Sequence, residues 1–113
     1  MDGPLDGVLV LDFTWALAGP FGTMQLADLG AEGVKVEYPE THEKGRGVGP
    51  YHEGISTFFF SPNRGKKGIC IDMKAPEGRA LVLELAKYVD VVTENFRPGT
   101  MRRLGLDYDA LRA

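Results

Sequence analysis

The chain has 113 residues, of which 43% are apolar and 26% charged, and this allows one small globular domain of ordinary composition. Its formal net charge of -3 argues against a general affinity for nucleic acid. The N-terminus lacks the apolar core of a signal peptide, and no apolar run approaches the length of a membrane span. The single cysteine, Cys70, excludes an intrachain disulfide framework and fits a cytoplasmic protein. Because Cys70 lies in an apolar run, we expect it to be a small buried side chain.

The first third of the chain predicts a βαβ unit. An apolar run at 8–11 is typical of a buried strand, and the Gly-Pro turn that follows it suits the start of a helix over 21–29. A second strand is expected at 34–36, and such crossovers are nearly always parallel and right-handed. Because ligands of open parallel sheets bind beyond the carboxyl ends of the strands, we first expect a ligand at the turn 14–19.

Two apolar segments predict an interface. The helix over 21–29 is apolar on most of its circumference, which indicates packing between the sheet and a second domain or subunit. The segment 56–61, STFFFS, adds three aromatic rings, and its sequence leaves helix and strand equally open. A domain of this size cannot readily bury all of this surface alone, so we expect the chain to self-associate.

The segment 38–55 has no hydrophobic periodicity and predicts a long loop. It contains both histidines, His42 and His52. Neither histidine has a second ligand at metal-binding spacing, so we expect no metal site.

The basic stretch 62–68, PNRGKKG, leaves two interpretations open. It is either a solvated turn or an anion site. In the second case Arg64, Lys66 and Lys67 would converge with backbone N–H groups that the glycines leave accessible.

The rest of the chain continues the alternation of strands and helices. We expect strands at 69–71 and 89–93, an amphipathic helix that begins near Pro76, and short helical pieces at 100–104 and 109–112. The fold class is therefore α/β, a Rossmann-like and mostly parallel sheet of at least four strands with flanking helices. The sequence ends within a helical pattern, from which we expect a fragment of a longer enzyme.

A dinucleotide site is a weak alternative. Glu37 ends the second strand, where an acid that binds ribose would lie. However, the turn AGPFG supplies only Gly19 and Gly22 of the glycine series that such sites need. Residue chemistry alone thus reaches an α/β domain whose strand-end turns offer a few side chains to a small anionic ligand, namely Trp15, Lys74, Asn95 and Arg103.

Three segments carry a resemblance to a known family: PLDGVLVLDFTWALAGPFGTMQLADLGAEGVKVE, NRGKKGICIDMKAPEGRALV and VVTENFRPGTMRRLGLDYDAL. They resemble the N-terminal part of class III coenzyme A transferases, the CaiB/BaiF-type family that includes formyl-CoA transferases. The likeness covers nearly the whole chain, and it implies that residues 1–113 form the N-terminal part of the family's large, CoA-binding domain. The family also contains α-methylacyl-CoA racemases, and Asn95 in the motif ENFRPG favours a transferase. A racemase-like relative and a free-standing nucleotide-binding module remain the alternatives.

The resemblance implies a Rossmann-like domain that binds coenzyme A, in a homodimer whose subunits interlock. The implied reaction moves CoA from an acyl-CoA to a carboxylic acid, through a mixed anhydride on an aspartate and without a metal. In the family that aspartate lies beyond the segments matched here. We therefore assign no catalytic residue to this chain, and we expect the chain alone to be inactive.

The resemblance also implies which positions contact CoA. The turn from Trp15 matches the segment near the thioester, and Trp15 and Leu17 replace the histidine and glutamine of formyl-CoA transferases, which indicates an acyl group less polar than oxalate. Tyr38 stands where the family commonly has an arginine. Asp12 and Asp72 are expected only to bond within their own turns. The full set of implied CoA-binding residues is Trp15, Leu17, Ala18, Ile71, Met73, Lys74, Asn95, Phe96 and Arg103.

Overall fold

A computed structural model describes residues 3–39 and 44–113. Strands and helices alternate along most of the chain. In chain order they are β1 (Leu9–Asp12), α1 (Ala18–Asp28), β2 (Glu32–Glu37), a 3-10 turn (Lys44–Gly47), β3 (Tyr51–His52), β4 (Ile55–Ser56), α2 (Thr57–Phe60), β5 (Lys66–Cys70), α3 (Pro76–Ala86), β6 (Val91–Thr93), α4 (Thr100–Arg103) and α5 (Tyr108–Arg112).

The main sheet has four parallel strands in the order β5-β2-β1-β6. This confirms the expected α/β class with a parallel four-stranded sheet. The chain builds outward from β1 through β2 to β5 and then returns to place β6 on the other side of β1. The direction of winding therefore changes between β1 and β6, and ligands of open α/β sheets bind at such a switch point.

The predicted loop at 38–55 contains more structure than its sequence indicated. β3 and β4 form a two-residue antiparallel hairpin that pairs Tyr51 with Ser56 and His52 with Ile55. The open choice for STFFFS is settled as a helix, because the Ser56 hydroxyl accepts a hydrogen bond from the Phe59 N–H and caps α2. His42 lies outside the described residues.

The core lies between the sheet and the helices α3 to α5. Its buried members come from strands, helices and the turns between them: Leu11, Phe13, Val36, Ile71, Met73, Val82 and Leu106. On α1, Pro20, Thr23 and Met24 are buried, whereas Phe21 remains 52% exposed.

The expectation that Cys70 is buried is wrong. Cys70 ends β5, and its side chain is exposed. β5 is the edge strand of the sheet, with β2 on one side only. Side chains alternate between the faces of a strand, and here burial begins at the next residue, Ile71.

Candidate functional site

The turn after β1 rests on a buried polar network. Asp12 ends β1 and is fully buried, and its carboxylate accepts hydrogen bonds from both the N–H and the hydroxyl of Thr14. From β2, the ammonium group of Lys35 donates to the carbonyl oxygen of Thr14 at 2.7 Å. Thr14 is therefore held from two strands, and the next residue, Trp15, leaves the sheet in a defined direction.

Asp12 also bonds to residues outside its own turn, which the sequence did not predict. Its Oδ2 lies 2.8 Å from the Lys66 ammonium of β5 and 2.8 Å from the Thr23 hydroxyl of α1. The Thr93 hydroxyl of β6 lies 3.2 Å from Oδ1. Burial alone would raise the pKa of Asp12, but hydrogen bonds from Lys66 and Thr14 and the charge of Lys66 outweigh it. The pKa therefore lies below its ordinary value.

Asn95 ties the turn after β6 to the turn after β1. Its side-chain Oδ1 accepts from the Trp15 N–H at 2.8 Å, and its Nδ2 donates to the Trp15 carbonyl at 2.9 Å. The two turns approach so closely that a Cβ at Gly19 would lie 2.5 Å from the Thr14 Cβ and 3.0 Å from the Asn95 Cγ. A glycine at position 19 is thus required by packing. The Asn95 amide positions Trp15.

An aromatic wall stands over this junction. The Trp15 ring meets the Phe96 ring edge to face with centroids 5.1 Å apart, and it meets the Tyr38 ring at 6.3 Å. The Lys74 ammonium lies 5.7 Å from the centroid of the Tyr38 ring. Burial raises the pKa of the Tyr38 hydroxyl, and the Asp72 carboxylate raises it further, so the hydroxyl is neutral near neutral pH.

The wall faces an open cleft of about 800 Å³ at the carboxyl end of the sheet. Its lining comes from the turns after β1, β2 and β5 and from α4: Trp15, Tyr38, Pro39, Asp72, Lys74, Thr100, Arg103 and Leu104. Arg103 donates from Nη2 to the Thr100 hydroxyl at 3.0 Å. The cleft combines apolar rings with two cations, so it is suited to a ligand with both aromatic and anionic parts.

The residues expected to contact CoA separate into three groups. Trp15, Lys74 and Arg103 line the cleft, and Asn95 and Phe96 line a smaller pocket that shares Trp15 with it. Leu17 faces a different groove beside Phe21, and Ala18 is exposed at the start of α1. The side chains of Ile71 and Met73 are buried in the core. Met73 also lines a recess next to the cleft.

Sequence reasoning missed Thr100 and Leu104 as lining residues. Thr100 shares a helical face with Arg103 at the spacing i, i+3 and with Leu104 at i, i+4, so the pattern around Arg103 could have indicated Thr100. Leu104 directly follows Arg103 and carried no such signal. Tyr38 and Asp72 carried a weaker signal. Each follows the end of a strand, but only the sheet order brings them beside Trp15.

The position that a dinucleotide would need is occupied. Glu37 is buried, and both of its carboxylate oxygens accept from Arg46, at 2.7 Å from Nε and 3.0 Å from Nη2. The Arg46 guanidinium also lies 3.7 Å from the centroid of the Phe59 ring. Glu37 thus anchors the 3-10 turn and α2 to the sheet, and its oxygens are engaged where ribose hydroxyls would bind.

Of the two interpretations left open for 62–68, the anion site does not fit the structure. Arg64 pairs with Asp28 of α1 at 2.8 Å, and Lys67 pairs with Glu32 of β2 at 2.7 Å. Lys66 is buried against Asp12, and it also donates to the Pro20 carbonyl and the Asn63 side chain. The three cations point to three separate carboxylates. The alternative of a solvated turn fails for Lys66 as well, because its side chain is only 2% exposed.

The described residues contain neither a cluster of metal-ligating side chains nor a membrane-spanning helix. Within 3–39 and 44–113, no group of three or more His, Cys, Asp or Glu side chains is arranged to hold a metal ion. None of the helices in that part of the chain has the length and apolarity needed to cross a membrane.

Comparisons with known proteins agree on one family. The model of CoA-transferase family III matches residues 5–113. The chain is 48% identical to the acetyl-CoA:oxalate CoA-transferase of Acetobacter aceti, over 96% of this chain and 28% of that protein. It is 49% identical to the succinyl-CoA:glutarate CoA-transferase of Mus musculus, over 94% of this chain and 24% of that protein. It thus spans about a quarter of the length of these curated relatives.

A solved structure extends the likeness to the backbone. The crystal structure of a CAIB/BAIF family protein from Brucella suis matches with a TM-score of 0.90 and 42% identity. The match covers 99% of this chain and 31% of that one.

Proposed function

The chain belongs to CoA-transferase family III, and from that premise we propose that it supplies the CoA-binding part of an enzyme that moves CoA from an acyl-CoA to a carboxylic acid. The observation that carries the proposal is the cleft at the carboxyl end of the sheet, together with the smaller pocket at the switch point between β1 and β6. It places an aromatic wall beside Lys74 and Arg103. CoA presents both an aromatic base and phosphates, which these two kinds of side chain recognise.

We place the phosphates of CoA at Lys74 and Arg103. Both cations line the cleft, and a guanidinium is well suited to bidentate contact with phosphate oxygens. The pantetheine arm then lies along the pocket of Trp15, Asn95 and Phe96, which continues from the cleft. The thioester reaches the turn that follows Trp15. The Leu17 side chain lines a separate groove. Leu17 therefore affects the acyl group indirectly, through the conformation of the turn.

The proposed chemistry proceeds in covalent steps. An aspartate carboxylate attacks the thioester carbonyl, a carbon–oxygen bond forms, the carbon–sulfur bond breaks, and CoA leaves as a thiolate. The CoA thiolate then attacks the aspartyl carbonyl of this mixed anhydride, which releases the donor acid and leaves an aspartyl-CoA thioester. The acceptor carboxylate attacks that thioester, which expels the CoA thiolate and forms a second mixed anhydride. The thiolate finally attacks the acceptor's acyl carbonyl, which gives the new acyl-CoA and regenerates the aspartate carboxylate. The family resemblance places that aspartate outside the matched segments. Asp12 is fully buried beneath the turn after β1 and paired with Lys66, so we do not assign it as the nucleophile.

We further propose that the enzyme is a cytoplasmic homodimer and that these residues alone do not turn over substrate. The half-exposed Leu17 and Phe21 on and beside α1 support an apolar interface. The absence of turnover is proposed because no catalytic aspartate is assigned within the matched segments. Transfer of CoA between acyl-CoAs and free acids by the 113-residue chain would contradict this assignment.

The chain provides its own probe for CoA binding. Trp15 is its single tryptophan and lines the cleft, so intrinsic fluorescence should change when a ligand binds. We expect saturable binding of CoA that is tighter than binding of NAD. Arg103→Ala should weaken CoA binding about tenfold, because it removes a charge-assisted contact. Arg102→Ala is the matched control, since Arg102 is exposed on the same helix outside the cleft lining.

Either of two results would overturn the proposal. Tighter binding of NAD than of CoA would restore the nucleotide-binding module. Equal losses of CoA affinity in the Arg103→Ala and Arg102→Ala variants would place the ligand outside the cleft.

A further inference from the structure

A third cation, Arg79, lies beside the two cations of the cleft. The recess next to the cleft has a volume of about 520 Å³ and is lined by Lys74, Arg79 and Arg103 together with apolar side chains. These cations come from the turn after β5, from α3 and from α4. Lys74 and Arg103 line both cavities, whereas Arg79 lines the recess and is absent from the cleft lining. The inference drawn from this arrangement rests on the proposed function.

Among the described residues, the three cations that line the recess lack the carboxylate partners that neutralise other basic residues. In the described residues, no Asp or Glu oxygen lies within 4.0 Å of the charged groups of Lys74, Arg79 or Arg103. Five other cations of the same region do form such pairs, namely Arg46, Arg64, Lys66, Lys67 and Lys87. Three cations around one recess without acidic partners attract an anion of more than one charge.

Packing holds Arg79 beside the recess. Its guanidinium lies against Gly105, so closely that a Cβ on that glycine would meet Nη1 at 2.7 Å. Gly105 has a φ of +73°, a conformation that favours glycine. The glycine thus leaves room for the guanidinium between α3 and the end of α4.

We propose that Arg79 is a specificity-determining residue that binds the 3′-phosphate of CoA together with Lys74 and Arg103. A phosphate monoester carries close to two negative charges at neutral pH and exposes three acceptor oxygens. Each phosphorus of the CoA diphosphate carries one. The monoester is therefore the better match for a recess lined by three cations. Arg79 lines the recess and not the cleft, so its contact is with the 3′-phosphate in the recess. Lys74 and Arg103 line both cavities and lie between the 3′-phosphate and the diphosphate.

The test compares CoA with 3′-dephospho-CoA, which lacks only the phosphate in question. Titrations of the full 113-residue chain, followed by Trp15 fluorescence, would give both affinities for the wild type and for Arg79→Gln, Arg79→Lys and Arg102→Gln. We expect Arg79→Gln to weaken CoA binding about tenfold and to leave 3′-dephospho-CoA within twofold of the wild type. Arg79→Lys should recover part of the loss, and Arg102→Gln should match the wild type for both ligands.

The ligand pair separates this inference from a structural role and from the proposed function. Equal weakening of both ligands by Arg79→Gln, or no weakening of either, would overturn the inference while leaving CoA binding by the cleft intact. If the wild type binds neither ligand, the proposed function fails and the inference fails with it. A urea unfolding curve for each variant shows whether the affinities belong to folded protein.

Discussion

Two groups of basic residues in this chain behave in opposite ways. The first group, the paired cations, comprises Arg64, Lys66 and Lys67, which lie within four residues of one another and resemble an anion site in the sequence. The second group, the recess cations, comprises Lys74, Arg79 and Arg103, which are spread over thirty residues. In the folded chain, three carboxylates neutralise the first group, whereas all three residues of the second group line one recess.

The strands explain why the paired cations diverge. Along a strand, successive side chains point to opposite faces, so Lys66 and Lys67 of β5 separate at once. Lys66 lies in register with Gly33 of β2, and its side chain crosses β2 to reach Asp12 on β1. Adjacent residues of a strand therefore cannot direct their side chains to the same ligand site.

Breaking the buried member of the paired cations should have the largest effect. Lys66→Met removes the partner of Asp12 and leaves a buried carboxylate uncompensated, so we expect a loss of about 3–5 kcal/mol in the free energy of unfolding. Lys67→Met breaks an exposed pair in the next residue and should cost no more than about 1 kcal/mol. Urea denaturation of both variants measures the difference. Equal losses would show that the burial of Lys66 has no energetic consequence.

The same buried pair predicts a pH dependence. The pKa of Asp12 in the folded chain lies below its unfolded value of about 3.9. A carboxyl of this kind contributes stability that is present above the unfolded pKa and lost as the pH falls through the folded pKa. The advantage of the wild type over Asp12→Asn should therefore hold from neutral pH down to about pH 5 and shrink below about pH 4. Urea midpoints at a series of pH values measure it.

Other acidic groups do not disturb this comparison. Asp28, whose pKa is lowered first by its hydrogen bond from Arg64, titrates in both proteins and cancels in the difference. An advantage of the wild type that stays constant through the acid range would contradict the assignment to Asp12.

The smallest effect tests the two groups directly as ligand sites. Lys74→Gln should weaken CoA binding about five- to tenfold, because Lys74 lines both cavities without a carboxylate partner in the described residues. Arg64→Gln removes the same charge from the chain but from a residue paired with Asp28, and CoA affinity should change less than about twofold. Trp15 fluorescence titrations at low and moderate salt measure both. A larger effect from Arg64→Gln would reverse the comparison.

The errors made from the sequence have local physical causes. Burial of Cys70 was inferred from its apolar neighbours, but Cys70 ends an edge strand, which has a neighbouring strand on one side only. A pattern of residue types does not reveal which strand lies at the edge of a sheet. The hairpin of β3 and β4 was missed because strands of two residues are too short to show a period.

The sequence by itself determined the parallel α/β sheet and the family. Apolar runs that alternate with helical patterns can be packed in few ways, and the three motif segments lie in the expected order. It also indicated that Trp15, Lys74, Asn95 and Arg103 stand at strand ends, where a ligand would bind; their contacts with CoA stay a prediction.

The tertiary structure alone decided which charges remain available to a ligand. An ion pair depends on the distance between side chains far apart in the chain, as for Lys66 with Asp12 and Arg46 with Glu37. Strand order and register set those distances. The same order brings Arg79 of α3 beside Arg103 of α4, a neighbour that no spacing along the chain could indicate.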